Sequence, residues 1–304
     1  SWYGSKDHLL KSPSDIAFDT HGRLFVADPG AQEIVIFDRY GQRIDSFGHG
    51  VLKAPISLAI ARNGSIYVVD SARKELLIFA RNHTLTKTIS FMEKTPLAVS
   101  IGVDQSLDVR KTEALYVTCE TGVIKGNLEG VFERGYFNAG TKKGAFSGLA
   151  DVKVAQSSRA SSKPKLRLYL LDSLNKSVTA LDSFESSPTV AWENRDAALP
   201  AGLASDESHI YVTDAQNNQI DVLNALTGKR VSTISKSGTF DGALFQPRGI
   251  EMRGEQLYVA DSGNGRIAIF NVPGFASSKI ATESPLEIYG LIALCILFAL
   301  ASLA

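Results

Sequence analysis

The sequence predicts an all-β fold, a six-bladed β-propeller over residues 1–278, followed by a linker and one hydrophobic α-helix within 279–304. Three observations lead to this reading. One pattern of short strands and polar turns occurs six times, its copies are spaced like propeller blades, and no charged residue follows Glu287.

The repeat is clearest in the second strand of each copy. These strands read Leu24-Phe25-Val26-Ala27-Asp28, Ile66-Tyr67-Val68-Val69-Asp70, Leu115-Tyr116-Val117-Thr118, Leu168-Tyr169-Leu170-Leu171-Asp172, Ile210-Tyr211-Val212-Thr213-Asp214 and Leu257-Tyr258-Val259-Ala260-Asp261. With Thr118 taken as the third copy's counterpart of the terminal Asp, that slot recurs at intervals of 42, 48, 54, 42 and 47 residues. An aliphatic residue follows six positions later: Ile34, Leu76, Ile124, Val178, Ile220 and Ile267. Short β-branched and aromatic runs between turn residues are strands. A period near 40–50 residues with about four strands is a propeller blade, and a closed ring of blades protects most strand edges.

The sixth copy carries Gly238, Asp241-Gly242, Phe245, Pro247-Arg248-Gly249-Ile250 and Tyr258-Val259-Ala260-Asp261-Ser262-Gly263-Asn264-Gly265-Arg266-Ile267. The first is nearly as complete, with Pro13 to Ile16 and Phe25-Val26-Ala27-Asp28-Pro29-Gly30. In these residues the chain resembles the NHL-repeat propellers over about residues 10–272. The third copy departs from the pattern: it lacks the Asp, and its turn reads Cys119-Glu120-Thr121-Gly122. The resemblance implies the fold and no single activity, because propellers host unrelated functions. The repeated Asp is expected to accept hydrogen bonds from backbone amides of its own turn rather than to bind a ligand.

Departures from a repeat point to function better than the repeat itself. In copies 3 and 4 the link between the first and second strands swells to 104–113 and 156–165. Insertions at one connection project from one rim. Their cations, Arg110, Lys111, Arg159, Lys163 and Lys165, are the expected partner-binding residues.

The C-terminal segment reads as a membrane anchor. Residues 288–304 form an uncharged run of 17, with Ile288, Tyr289, Leu291, Ile292, Leu294, Ile296, Leu297, Phe298, Leu300 and Leu303 as the lipid-facing candidates. Ser284-Pro285-Leu286-Glu287 reads as a helix start. From Pro285 the segment has 20 residues, or about 30 Å of helix. The absence of an initiator Met leads to the expectation of an extracytoplasmic propeller, periplasmic or extracellular.

Charge is balanced, with 32 basic and 32 acidic residues, so no nucleic-acid partner is expected. Cys119 and Cys295, one in a strand and one in the apolar segment, give no disulfide framework. The resemblance admits enzymes, including amidating lyases that hold zinc with histidines. Here His8, His21, His49, His83 and His209 show no zinc-ligand spacing. Calcium-dependent lactonase propellers need acids converging on the central channel. The matching innermost-strand slots hold Asp15, Ser57, Ala98, Asp151, Gly202 and Gly249. Asp15 and Asp151 come from opposite blades, with Lys153 and Arg248 as expected counter-ions. Two lone acids make a thin metal site, so no catalytic, metal or cofactor residues are expected.

The reading that follows is a non-catalytic interaction and assembly module, a membrane-anchored accessory subunit of a larger respiratory, photosynthetic or transport complex. The alternatives are a membrane-tethered metal-dependent hydrolase or lyase and an extracytoplasmic ligand-binding sensor. The sixth blade needs an outer strand, which either Ser1 to Ser5 or residues 276–282 can supply.

Overall fold

The computed structural model describes residues 2–3, 10–91, 94–104, 112–157, 165–182, 189–193, 196–206, 208–234 and 236–272. They form six four-stranded antiparallel sheets arranged as the blades of a propeller. Strands are named a to d from the channel outward. Blade 1 runs through Asp15–Phe18, Leu24–Asp28, Glu33–Phe37 and Arg43–Phe47. Blades 2 to 5 repeat this order, beginning with a strands at Pro55–Ile60, Pro96–Asp104, Leu149–Ser157 and Pro200–Ser205.

Blade 6 takes strands a to c from Pro247–Arg253, Gln256–Asp261 and Arg266–Asn271. Its d strand is Trp2–Tyr3, paired antiparallel with Ala268 and Ile267. The N-terminal segment therefore closes the ring, which decides between the two candidates for that strand.

The molecule has no single central core. Six hydrophobic clusters lie one at each blade junction. Alternation along a strand explains this. In Leu24–Asp28, Phe25 and Ala27 face blade 2, where they meet Leu58 and Val68. Leu24 and Val26 face blade 6, where they meet Tyr258 and Ala260. Both faces are buried, so the b strands read as continuous apolar runs rather than as polar–apolar alternation. The d strands Arg43–Phe47 and Leu85–Ser90 lie at the outer edge and are largely exposed.

The register corrects the reading of the third copy. Pro55 pairs with Asp70 and Pro200 with Asp214, and in blade 3 Pro96 pairs with Cys119. Cys119, not Thr118, occupies the Asp slot. Tyr116 then precedes it by three, as Tyr67 precedes Asp70. The blade 3 b–c turn holds two residues where the others hold four, since Cys119 pairs with Gly122 while Asp70 pairs with Glu75. That shortening moves the counterpart of Leu76 from Ile124 to Val123, the partner of Thr118.

The two insertions lengthen blades 3 and 4. Their b strands, Thr112–Cys119 and Lys165–Asp172, have 8 residues against 5 in Ile66–Asp70. The extended a strands stay side by side because Gly102 has no side chain, and one there would run into Val154. Arg110, Lys111, Arg159 and Lys163 lie outside the described residues, and Lys165 opens the b strand of blade 4. Residues 273–304, with the whole expected anchor, also lie outside them. Among the described residues no helix is long and apolar enough to cross a membrane.

Candidate functional site: the central channel

The five slot aspartates are fully buried and act as ties. Each accepts hydrogen bonds from the linker entering its blade and from its own b–c turn. Asp28 accepts the amides of Lys11 (2.7 Å), Ser12 (3.0 Å) and Ala31 (3.1 Å). Asp70 does the same with Lys53, Ala54 and Arg73. Asp214 accepts five, from the amides of Ala198, Leu199, Gln216 and Asn217 and from Asn217 Nδ2. In blade 6 the donors are Phe245 N, Asn264 Nδ2 and Arg266 Nε. The expected turn amides are present for Asp28, Asp70, Asp172 and Asp214, side chains replace them at Asp261, and the linker contacts add a second role. Each carboxylate holds the a strand at its channel-side position.

Next to this ring lies the innermost slot. It closes the junctions in two ways. Asp15 reaches across to blade 2, where Oδ2 accepts Ser57 Oγ (2.7 Å) and Leu58 N (3.0 Å), while Oδ1 accepts Ile16 N (2.8 Å). Ser57 Oγ in turn accepts Val99 N of blade 3 (3.2 Å). Asp151 repeats the device between blades 4 and 5, taking Leu203 N at 2.7 Å and Val152 N at 2.7 Å. Where the slot is glycine the backbones themselves meet. Gly249 N donates to Ser14 O of blade 1 at 2.9 Å, and a side chain on Gly249 would strike Asp15. Gly202 lies against Arg248 O, which accepts Thr213 Oγ1 at 2.6 Å.

Below these slots the a strands enclose a cavity of about 240 Å³. Two residues further along each strand, Ala17, Ala59, Ser100 and Ala204 are small, whereas Lys153 and Glu251 are charged and form an ion pair. That pair links blades 4 and 6 across the turn of the ring. Arg253 also lines the cavity, and its Nη1 donates to Gly22 O of blade 1 (2.9 Å).

The electrostatics follow from this packing. Protein surrounds both channel carboxyls, and desolvation disfavours their charged form. Burial pushes Asp15 up to about 6, against the hydrogen bonds of Ser57, Leu58 and Ile16 and the charge of Lys153. Burial, with the charge of Asp15 added, holds Asp151 well above the usual carboxylate range. For Lys153 burial alone favours the neutral amine. The carboxylates of Glu251, Asp151 and Asp15 override it and hold the ammonium above its ordinary value.

Of the expected channel residues, the structure brings Asp15, Asp151 and Lys153 together around one cavity. Arg248 is corrected: its side chain is exposed and does not line the cavity, and only its carbonyl takes part, at the junction of blades 5 and 6. Lys153, itself paired with Glu251, is the cation beside the channel carboxyls. Glu251 and Arg253 escaped the sequence reading. The signal was available, since Glu251 stands two residues beyond the Gly249 slot as Lys153 stands two beyond Asp151.

Other reactive groups lie elsewhere. Burial pushes the Cys119 thiol up to about 11, with Glu120 adding to it, which keeps it protonated and a poor nucleophile. His83 stacks on Phe47 (4.6 Å between centroids) beside Asp45. His21 lies next to Asp19 and Arg81 on the a–b rim. Among the described residues no three His, Cys, Asp or Glu side chains are grouped as a metal site requires.

No family profile and no curated protein matches the chain. Solved structures do. The hydrazine synthase of Kuenenia stuttgartiensis is similar over 87% of this chain and 97% of that one, at 12% identity and a TM-score of 0.59. A streptogramin B lyase matches 89% of this chain and 86% of its own, at 13% identity and 0.60. The RRP9 WD40 repeats match 89% and 82%, at 11% identity and 0.61. At such identities the likeness is one of propeller fold, shared here by enzymes and a repeat domain alike.

Proposed function

We propose that the chain is a non-catalytic interaction and assembly module, an NHL-type propeller held at a membrane by residues 285–304 as an accessory subunit of a larger membrane complex. One observation carries the reading. The ionisable groups of the channel serve to bind blade to blade, while the departures from six-fold regularity gather on the opposite rim, where the a–b hairpins of blades 3 and 4 are longest. A propeller whose inner ring is occupied by its own architecture offers its rim to partners. The uncharged run 288–304 supports the membrane assignment. Purification in mild detergent tests this: the chain is expected to elute with other subunits, and migration as a lone monomer overturns the reading. Deleting residues 157–164 is expected to leave the propeller folded and to weaken the association, and unchanged co-purification removes the hairpins from the interface.

A second reading, a membrane-tethered metal-dependent hydrolase or lyase, is favoured by one feature: Asp15, with its carboxyl near pH 6, borders a cavity of about 240 Å³. A group titrating there suits acid–base work. Metal analysis of the purified protein separates the two. Stoichiometric zinc or calcium that is lost on Asp15→Asn and Asp151→Asn substitution establishes the enzyme reading and sinks the first.

A further inference from the structure

We infer that the a–b rim of blades 1 and 2 rests on an anionic lipid surface, reading headgroup phosphates through a cluster of arginines. This rests on the membrane anchor proposed above and adds an orientation to it.

The first support is the exit point. Strand c of blade 6 runs toward the a–b rim, and Val272 N donates to Glu255 O in the a–b turn of that blade (2.9 Å). The chain therefore leaves the propeller on this rim, one blade from blade 1. The 15 residues 273–287 separate it from the apolar run. The exit rim is therefore the nearer of the two to the proposed anchor, by about the 20 Å length of a six-residue strand. A tether alone does not fix the orientation, so contact on the rim must do the orienting.

The second support is the rim itself. Arg23, Arg62, Arg81 and His21 surround a small cavity of about 20 Å³ between blades 1 and 2. Arg253 adjoins them, its guanidinium 4.7 Å from the centre of the Phe18 ring and bonded to Gly22 O. The acids of this region are recessed and already used. Asp19 is 6% exposed and accepts the amides of His21 and Arg23 together with Arg23 Nε. Glu113 is 13% exposed and accepts the Arg62 amide from blade 3. Arg62 and His21 side chains are each 58% exposed. Arg23 is paired with Asp19 and Arg62 Nε lies 3.8 Å from Glu113, while the Arg62 and Arg81 side chains are exposed above these recessed acids. The cavity has room for about one oxygen, and arginine forks match phosphate geometry. On an anionic leaflet each such cation multiplies the partition about fivefold. The opposite rim carries cations as well, including Arg73 and Lys74, but the tether does not deliver it first.

The experiment uses the full chain in nanodiscs of phosphatidylcholine, with or without about one third phosphatidylserine. In a Cys295→Ser background, with Cys119 buried, a fluorophore is placed by Asn63→Cys on the a–b turn of blade 2 or by Ala72→Cys on its b–c turn. Transfer to a headgroup-labelled lipid reports height. In anionic discs the Asn63 label is expected to be quenched several-fold more than the Ala72 label. Arg62→Glu with Arg81→Glu, or high salt, is expected to remove most of that difference. Equal quenching, stronger quenching at Ala72, or an asymmetry indifferent to both lipid charge and the two substitutions overturns the inference while leaving the anchor intact. A chain that does not float with discs of either composition overturns the anchor and this orientation together.

Discussion

Two sets of aspartates, one fully buried and one partly buried at the channel, are held differently. Asp214 in the b–c ring accepts five hydrogen bonds, four of them from backbone amides. Asp151 in the channel accepts two, and a second carboxyl in the same channel raises it further. The ring aspartates are surrounded by donors from linker and turn, and in blade 6 the Arg266 guanidinium is one of them. The channel pair differs in sharing one space with each other and with Lys153. One set ties linker to turn, and in the other burial raises the carboxyls.

The strongest way to break this comparison is Asp214→Ala. It leaves five donors without their acceptor, and unfolding in denaturant is expected to show a loss of about 3 kcal/mol or more. A loss below about 1 kcal/mol means that the ring is not a tie. Next comes Lys153→Met, which leaves Glu251 facing two other acids and is expected to cost about 2 kcal/mol at pH 7. Adding Glu251→Leu is expected to restore more than half of it, and a double-mutant cycle without coupling removes the ion pair from the account.

The pH dependence sharpens the contrast. Asp15 binds its proton more tightly in the folded chain, near 6 against an ordinary 3.8. Its contribution to stability is therefore full below about pH 4 and is lost as pH rises through 6. The stability curve is expected to fall over that window by about 3 kcal/mol, and Asp15→Asn is expected to make it shallower. A curve unchanged by the substitution assigns the slope to other groups. The smallest effect is that of Ser57→Ala, about 1 kcal/mol, from one bond to Asp15 and one from Val99.

Most of the fold was legible because the b strands are buried on both faces and repeat their aromatic residue and their Asp in register. The third copy was read one residue out of step. Its turn is two residues shorter, and counting from the aliphatic residue beyond the turn carries that deletion back into the strand. Tyr116, inside the strand, gives the correct frame. The channel slots were found by the same counting, but, apart from Ser57, the partners of Asp15 and Asp151 are backbone amides, which leave no mark in a sequence. The Lys153–Glu251 pair joins residues 98 positions apart on blades that are not neighbours, and only ring closure brings them together.

The closing strand has a further consequence, one of time. Trp2 and Tyr3 pair with Ala268 and Ile267, at the far end of the propeller. In synthesis these residues precede the rest of the propeller, and they are the last to find their place. Until about residue 271 has been made, the chain is an open arc with an unpaired edge at each end. The growing arc cannot complete itself blade by blade, and release of the sixth blade converts it into a ring in a single step.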